Sequence, residues 1–301
     1  FDTGDGIIPV RSAAAAALAA TRDPRAIDAL GEALRERPGR SESALVEGLG
    51  AFGPAAGRQW AAIAAVLRRR NSDKEFRLNA RERFQRRVAA DPIEPGSAKY
   101  LREFEAATAD HAAHAAAQAL GRLRHPAAQE VLAETLANPH AAAAAAKALA
   151  AIGQPSEPVL AALERGLLDA RLGPAARAEC ARALGVLGAA RAVGLLRIAL
   201  QREETALAAA ESLGRLGKAS WTAVPDLLKI VSLPSLAVAN ERGGLHWSLE
   251  AGHRADLKRA AVRALFAIEP GAAAAKLARY RGDPDAGWVI SRERVSEPAA
   301  R

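Results

Sequence analysis

Aromatic residues, sulfur and strand-forming side chains are what this sequence has least of. It holds six phenylalanines, four tryptophans, two tyrosines, one cysteine and no methionine in 301 residues. So few rings cannot fill a thick core of bulky side chains. Valine, isoleucine and threonine, the usual strand formers, are also sparse, so almost no β structure is expected. The lone Cys180 excludes an internal disulfide and any cysteine-based zinc or iron–sulfur cluster within one chain. In its setting, Ala178-Glu179-Cys180-Ala181, it reads as a small buried apolar residue. No uncharged apolar run reaches the length of a membrane span. Phe1–Gly6 does not read as a secretion signal. With no methionine anywhere, Phe1 is expected not to be a translational start, and the chain to be a processed form or a piece of a longer one.

What is abundant is alanine. It dominates the apolar half of the composition, has the best helix propensity and adds little width, so it suits helices that approach closely. The formal charge is +8 and arginine greatly outnumbers lysine, which points to an anionic partner or to a GC-rich coding sequence.

A repeat organises the chain. A small-residue helix ending in Ala-Leu-Gly, or a close variant, recurs with its anchor leucine at Leu18, Leu49, Leu120, Leu149, Leu184, Leu213 and Leu265, and with Phe84 as a stand-in. The gaps are 31, 35, 36, 29, 35, 29 and 52 residues, each but the last about one helical hairpin. Small-residue helices are expected to start near 10, 42, 75, 111, 140, 174, 204 and 256. They alternate with helices starting near 24, 55, 97, 126, 156, 190, 220 and 271. Four residues before the anchor, and one before it, the residue is nearly always small. These positions flank the leucine on one helix face, which a single hairpin cannot bury alone.

The pattern Val10-Arg11…Ala14…Ala17-Leu18…Asp23-Pro24-Arg25-Ala26-Ile27…Leu30…Leu34 resembles the HEAT repeat, in the short variety also found in phycobilin lyases. The resemblance covers most of residues 10–280 and implies an all-α superhelix, a HEAT-like solenoid of about eight hairpins. It also implies a concave surface lined by the small-residue helices. Residues 1–301 are expected to form one such domain, with an irregular insertion at about 232–254 and a tail or cap from about 281.

Candidate binding residues follow from the register. Two residues before the anchor stand Glu47, Glu82, Gln118, Lys147, Arg182, Glu211 and Arg263, a column expected to face the groove or to be a solvated charged face. Seven before it stand Arg11, Glu42, Arg77, Arg177 and Lys258. Residues 68–87 hold nine cationic side chains against three carboxylates. Arg77, Arg81, Arg86 and Arg87 are the anion-binding candidates there, although no aromatic platform for bases accompanies them. Within the insertion, Trp247 is expected to pack or bind a partner. If residues 246–253 are helical, His246, Glu250 and His253 share a face that a divalent metal could use; solvent-facing histidines are the alternative. His111 and His114 are read as a surface pair. Arg281-Gly282-Asp283 matches an adhesion tripeptide too short to carry weight.

The paired His-Glu dipeptides of HEAT-type metal hydroxylases, a phosphate loop after a strand and a nucleophile elbow are all missing. The expectation is therefore a non-enzymatic scaffold or adaptor, with no cofactor or metal, holding a protein or peptide in its groove. A nucleic-acid-binding solenoid using residues 68–87 is the alternative, and a chromophore-lyase-like enzyme the third reading. A monomer is expected. The compartment stays open, with the cytoplasm as the expectation.

Overall fold

The computed structural model describes residues 4–36, 41–72, 85–86, 88–92, 94–95, 99, 111–234, 238–239, 245–246 and 249–295. They are helical apart from one two-stranded ribbon, and they fall into two compact units, Phe1–Cys180 and Ala181–Arg301.

In the first unit, α1 (Gly4–Thr21), α3 (Glu42–Ala51), α5 (His111–Leu123) and α7 (Ala142–Ile152) stack one on the next. Their partners α2 (Arg25–Glu36), α4 (Trp60–Ser72), α6 (Gln129–Thr135) and α8 (Glu157–Leu168) form a second layer beside them. Helix α9 (Pro174–Val186) carries the boundary between the units. In the second unit α10 (Val193–Ala199) precedes α11 (Glu203–Leu216), which packs on α13 (Leu249–Ile268), with α12 (Val224–Val231), α14 (Pro270–Lys276) and α15 (Gly287–Val295) around α13.

The register read from the sequence holds from Leu49 onward. Leu49, Leu120, Leu149, Leu184, Leu213 and Leu265 are all buried, as are the residues four before and one before each, all of them small except Leu45. The contact that sets the spacing is made by the glycine after the leucine. A Cβ built on Gly121 would lie 2.8 Å from the Cα of Ala148, and one on Gly50 3.1 Å from that of Ala119. In the second unit Gly185 meets the Cα of Ser212 at 2.7 Å and Gly214 that of Ala264 at 3.1 Å. Each pair joins the residue after one anchor to the residue before the next. The Ala-Leu-Gly signature is therefore a helix-to-helix contact surface. Four residues after the anchor the chain turns to positive φ at Arg22, Gly53, Arg124, Gly153, Gly188 and Gly217, which ends each helix. At the first of these an arginine tolerates the turn while its Nη1 donates to the Ala51 carbonyl of the next small-residue helix (2.7 Å).

Three expectations need correction. Leu18 is 38% exposed, because α1 packs forward onto α3 through Ala15 and Ala19 and leaves Ala14, Ala17 and Leu18 outside. Helix α3 meets α5 directly through Gly50 and Ala119, so the unit anchored on Phe84 is not a layer between them; Phe84 itself lies outside the described residues. The last long helix begins at Leu249 rather than near 256, so the end of the presumed insertion is helix. Before it, β1 (Val238–Ala239) pairs antiparallel with β2 (Leu245–His246).

The neighbouring hairpins are tied by side chains as well. The carboxylate of Glu42, buried at the start of α3, is held by Arg69 and by Arg70 Nη2 (3.0 Å) from α4. The indole of Trp60 stacks on the His125 imidazole at 5.2 Å. In the second unit Lys258 of α13 is fully buried. Its Nζ reaches Asp283 Oδ2 (2.5 Å) and the Leu233 carbonyl (2.8 Å), and lies 3.7 Å from Asp285. Asp283 Oδ1 also accepts from the backbone amides of Asp285 and Ala286, which fixes the turn into α15 and lets Val289 and Ile290 pack.

Gly185→Ala is expected to destabilise the protein by about 1–3 kcal/mol, because the added carbon must displace backbone. Gly194→Ala, in helix α10 where a Cβ meets nothing within 4 Å, should instead stabilise by about 0.5–1 kcal/mol. Urea unfolding of both variants checks the pair. Lys258→Met should cost about 3–5 kcal/mol in the same assay, since it strands two carboxylates in a dry site.

Candidate binding grooves

The described residues of the column two before the anchor are exposed or half-buried beside the stack, and Glu82 lies outside the described residues. Glu47, Gln118, Lys147 and Arg263 are exposed, and Arg182 and Glu211 are half-buried. Their neighbours one and four residues from the anchor are buried in the stack, which leaves this column no other direction. Several of these groups already have partners. Gln118 Nε2 donates to His114 Nε2 (2.8 Å), Lys147 sits 3.5 Å from Glu179, and Arg182 Nε donates to Glu211 Oε2 (3.2 Å).

The structure brings four residues of the column into two similar grooves, one in each unit. The first, of 520 Å³, runs between α5 and α7 and brings Gln118 and Lys147 together over a floor of Gly121 and Ala148. The second, of 640 Å³, runs between α11 and α13 and brings Glu211 and Arg263 together over Gly214 and Ala264. In both, the close glycine contact forms the floor. Two thick side chains there would fill the groove; two small ones leave it open. Glu47 and Arg182 line neither.

Sequence reasoning missed residues that share these grooves. Arg122 and Arg215 each stand four after a column residue, Gln118 and Glu211, so the one-turn spacing on a helix face would have found them. Trp288 of α15 also lines the second groove and is 49% exposed. It comes from an element far along the chain, and no local signal points to it. Arg259, in the same groove, is tied to Asp256 Oδ1 (2.9 Å) and to the Asp285 carbonyl (3.1 Å). A further concavity, of 530 Å³, lies on the second layer. Its polar groups are mutually engaged, with Arg171 forking onto Asp169 and Asn71 Nδ2 donating to Thr135 Oγ1 (3.0 Å). The Arg171 guanidinium holds the Asp169 carboxyl below its ordinary range.

The remaining candidates separate. Arg77, Arg81, Arg87 and Trp247 lie outside the described residues. Arg86 is helical and exposed, whereas Arg69 and Arg70 of the same basic stretch are spent on Glu42. His246 stands in strand β2, so the helical face it was to share with Glu250 and His253 does not form; the His253 ring instead faces the Glu203 carbonyl (3.4 Å). Among the described residues no three His, Cys, Asp or Glu side chains gather as metal ligands. Nor is any helix among them long and apolar enough to cross a membrane.

Cys180 sits on the buried face of α9 opposite Gly166, where a Cβ would meet its Sγ at 2.9 Å. Burial pushes the thiol up to about 12, with Glu179 adding to the shift. Thiolate is the reactive form, so at pH 8 the native thiol should react with a disulfide reagent orders of magnitude more slowly than the urea-unfolded chain. Comparable rates would contradict the burial. The sign of the linkage follows: the unfolded thiol ionises first, so this group's contribution to stability is whole below pH 9 and is lost as the pH rises towards 12.

The sequence pattern of the PBS lyase HEAT-like repeat matches residues 10–36 and 112–138, the first hairpin and the one formed by α5 and α6. No curated protein matches the chain. The chain therefore carries the PBS lyase HEAT-like repeat at these two places, among helices that pack in sequence as in a HEAT-like array.

Proposed function

We propose that the chain is a non-enzymatic scaffold or adaptor that holds a segment of a partner protein in the grooves between successive small-residue helices. The observation that carries the reading is the second groove. An exposed indole, an apolar floor and charges of both signs lie within one concavity of 640 Å³. An aromatic anchor beside oriented polar groups is the composition of a polypeptide-binding surface. A repeated fold supports it, because stacked hairpins offer the same groove more than once.

Two further features favour binding over chemistry. The only cysteine is buried and its thiol is held protonated, so it offers no nucleophile. Among the described residues that line the grooves, no nucleophile is hydrogen-bonded to a base. The nucleic-acid reading gains less, since two arginines of the basic stretch neutralise a buried carboxylate within the protein.

A photo-crosslinking residue placed at Gln118 or Arg263 should trap a polypeptide in cells, several-fold more than one at Ile198, which is half exposed on α10. Equal capture at all three positions, or adducts that nuclease removes, would overturn the reading.

A further inference from the structure

The two grooves share a feature that the register alone does not require. In the first, the residue two after the leading anchor is Arg122 and the residue two before the following anchor is Lys147. In the second the same two places hold Arg215 and Arg263. The other junctions within the units lack the pair: α3 and α5 have Ala51 and Gln118 there, and α9 and α11 have Val186 and Glu211. A doubled cation therefore stands at both of these grooves.

We propose that each doubled cation is a cradle for a carboxylate, and that the segment bound is acidic. The inference rests on the groove-binding reading above and names the partner's chemistry. The charge balance inside the grooves carries it. Both carboxylates lining the second groove are engaged from within, Glu211 by Arg182 and Asp256 by Arg259. Arg215 and Arg263 make no hydrogen bond or ion pair with another described residue, so the groove's open charge is positive. In the first groove Arg122 and Arg124 are likewise open, and Lys147 leans 3.5 Å towards a Glu179 that lies outside the lining.

A guanidinium presents two parallel donors that match a carboxylate. Beside Arg263, Trp288 offers a flat apolar face, so an acidic residue accompanied by an aromatic or long aliphatic one fits the second groove. An acidic polypeptide suits this layout better than nucleic acid. The cations come in small separate groups over glycine and alanine floors, which match separate side-chain carboxylates. A phosphate backbone calls for a continuous cationic track and stacking platforms.

The test is selection from a phage-displayed random peptide library on the full chain. Aspartate and glutamate should be enriched several-fold in the peptides recovered, together with an aromatic or leucine. Synthetic copies should bind Arg215→Glu/Arg263→Glu more than tenfold more weakly than the unaltered chain. Arg215→Gln/Arg263→Gln should lose less, and Lys229→Glu, an exposed charge on α12 outside both grooves, should lose nothing. Circular dichroism of each variant confirms the helices. Recovered peptides that lack acidic enrichment but still cross-link at Arg263 would overturn the acidic cradle and leave the groove reading standing. Peptides that bind without cross-linking at either groove would overturn both. Displacement of the acidic peptides by an equimolar random DNA duplex would overturn the choice of partner.

Discussion

The contact between a glycine just after one anchor leucine and the small residue just before the next is the constraint on which the rest depends. At Gly50, Gly121, Gly185 and Gly214 a single extra carbon would sit on or against a neighbouring Cα. Helices that approach so closely must have nothing wider than alanine or serine between them, which explains the alanine-heavy composition and the dearth of rings. Burying an alanine contributes far less than burying a leucine. Stability must then come from repetition, each hairpin covering a face that the last leaves open.

The same contact makes the binding surface. Where two helices meet through glycine and alanine, the residues one turn to either side diverge and frame a shallow groove. The side chains that frame it belong to columns two residues before and two after the anchor, free of the packing requirement. They can vary in charge without disturbing the stack, and they do: Ala51 and Val186 occupy the place that Arg122 and Arg215 take elsewhere. Fold and specificity thus sit on separate positions of one short repeat. The exception is Trp288, brought in by α15, whose turn is pinned by the buried Lys258 and the Asp283 carboxylate. A charge hidden in the second unit's core in this way sets one wall of its groove.

How much of this was legible in the sequence depended on the range of the determining contact. Six anchor leucines and their flanking small residues were readable, because period and residue size report burial within one helix turn. Leu18 misled because its helix is covered from one side only. Phe84 misled because spacing alone cannot distinguish an added layer from a loop, whereas the contact of Gly50 with Ala119 can. Gln118, Lys147, Glu211 and Arg263 were legible as groove residues, though Glu47 from the same column lines neither groove. The burial of Lys258 could not be read: seven residues before an anchor it stood among the candidate binding residues, and only a turn some 25 residues later makes it buried. His246 failed as a metal candidate because strand pairing of residues 238–239 with 245–246 competes with helix.

The direct stacking of α3 on α5 is the most exposed part of this account, since 59 residues separate their last and first turns. A nuclear Overhauser measurement on alanine-methyl-labelled protein tests it without altering a residue. A strong cross-peak between the Gly50 α-protons and the Ala119 methyl, whose carbon lies 3.0 Å from the place a Gly50 Cβ would take, is the predicted result. Its absence, with Gly50 instead in contact with residues between 75 and 110, would contradict the account.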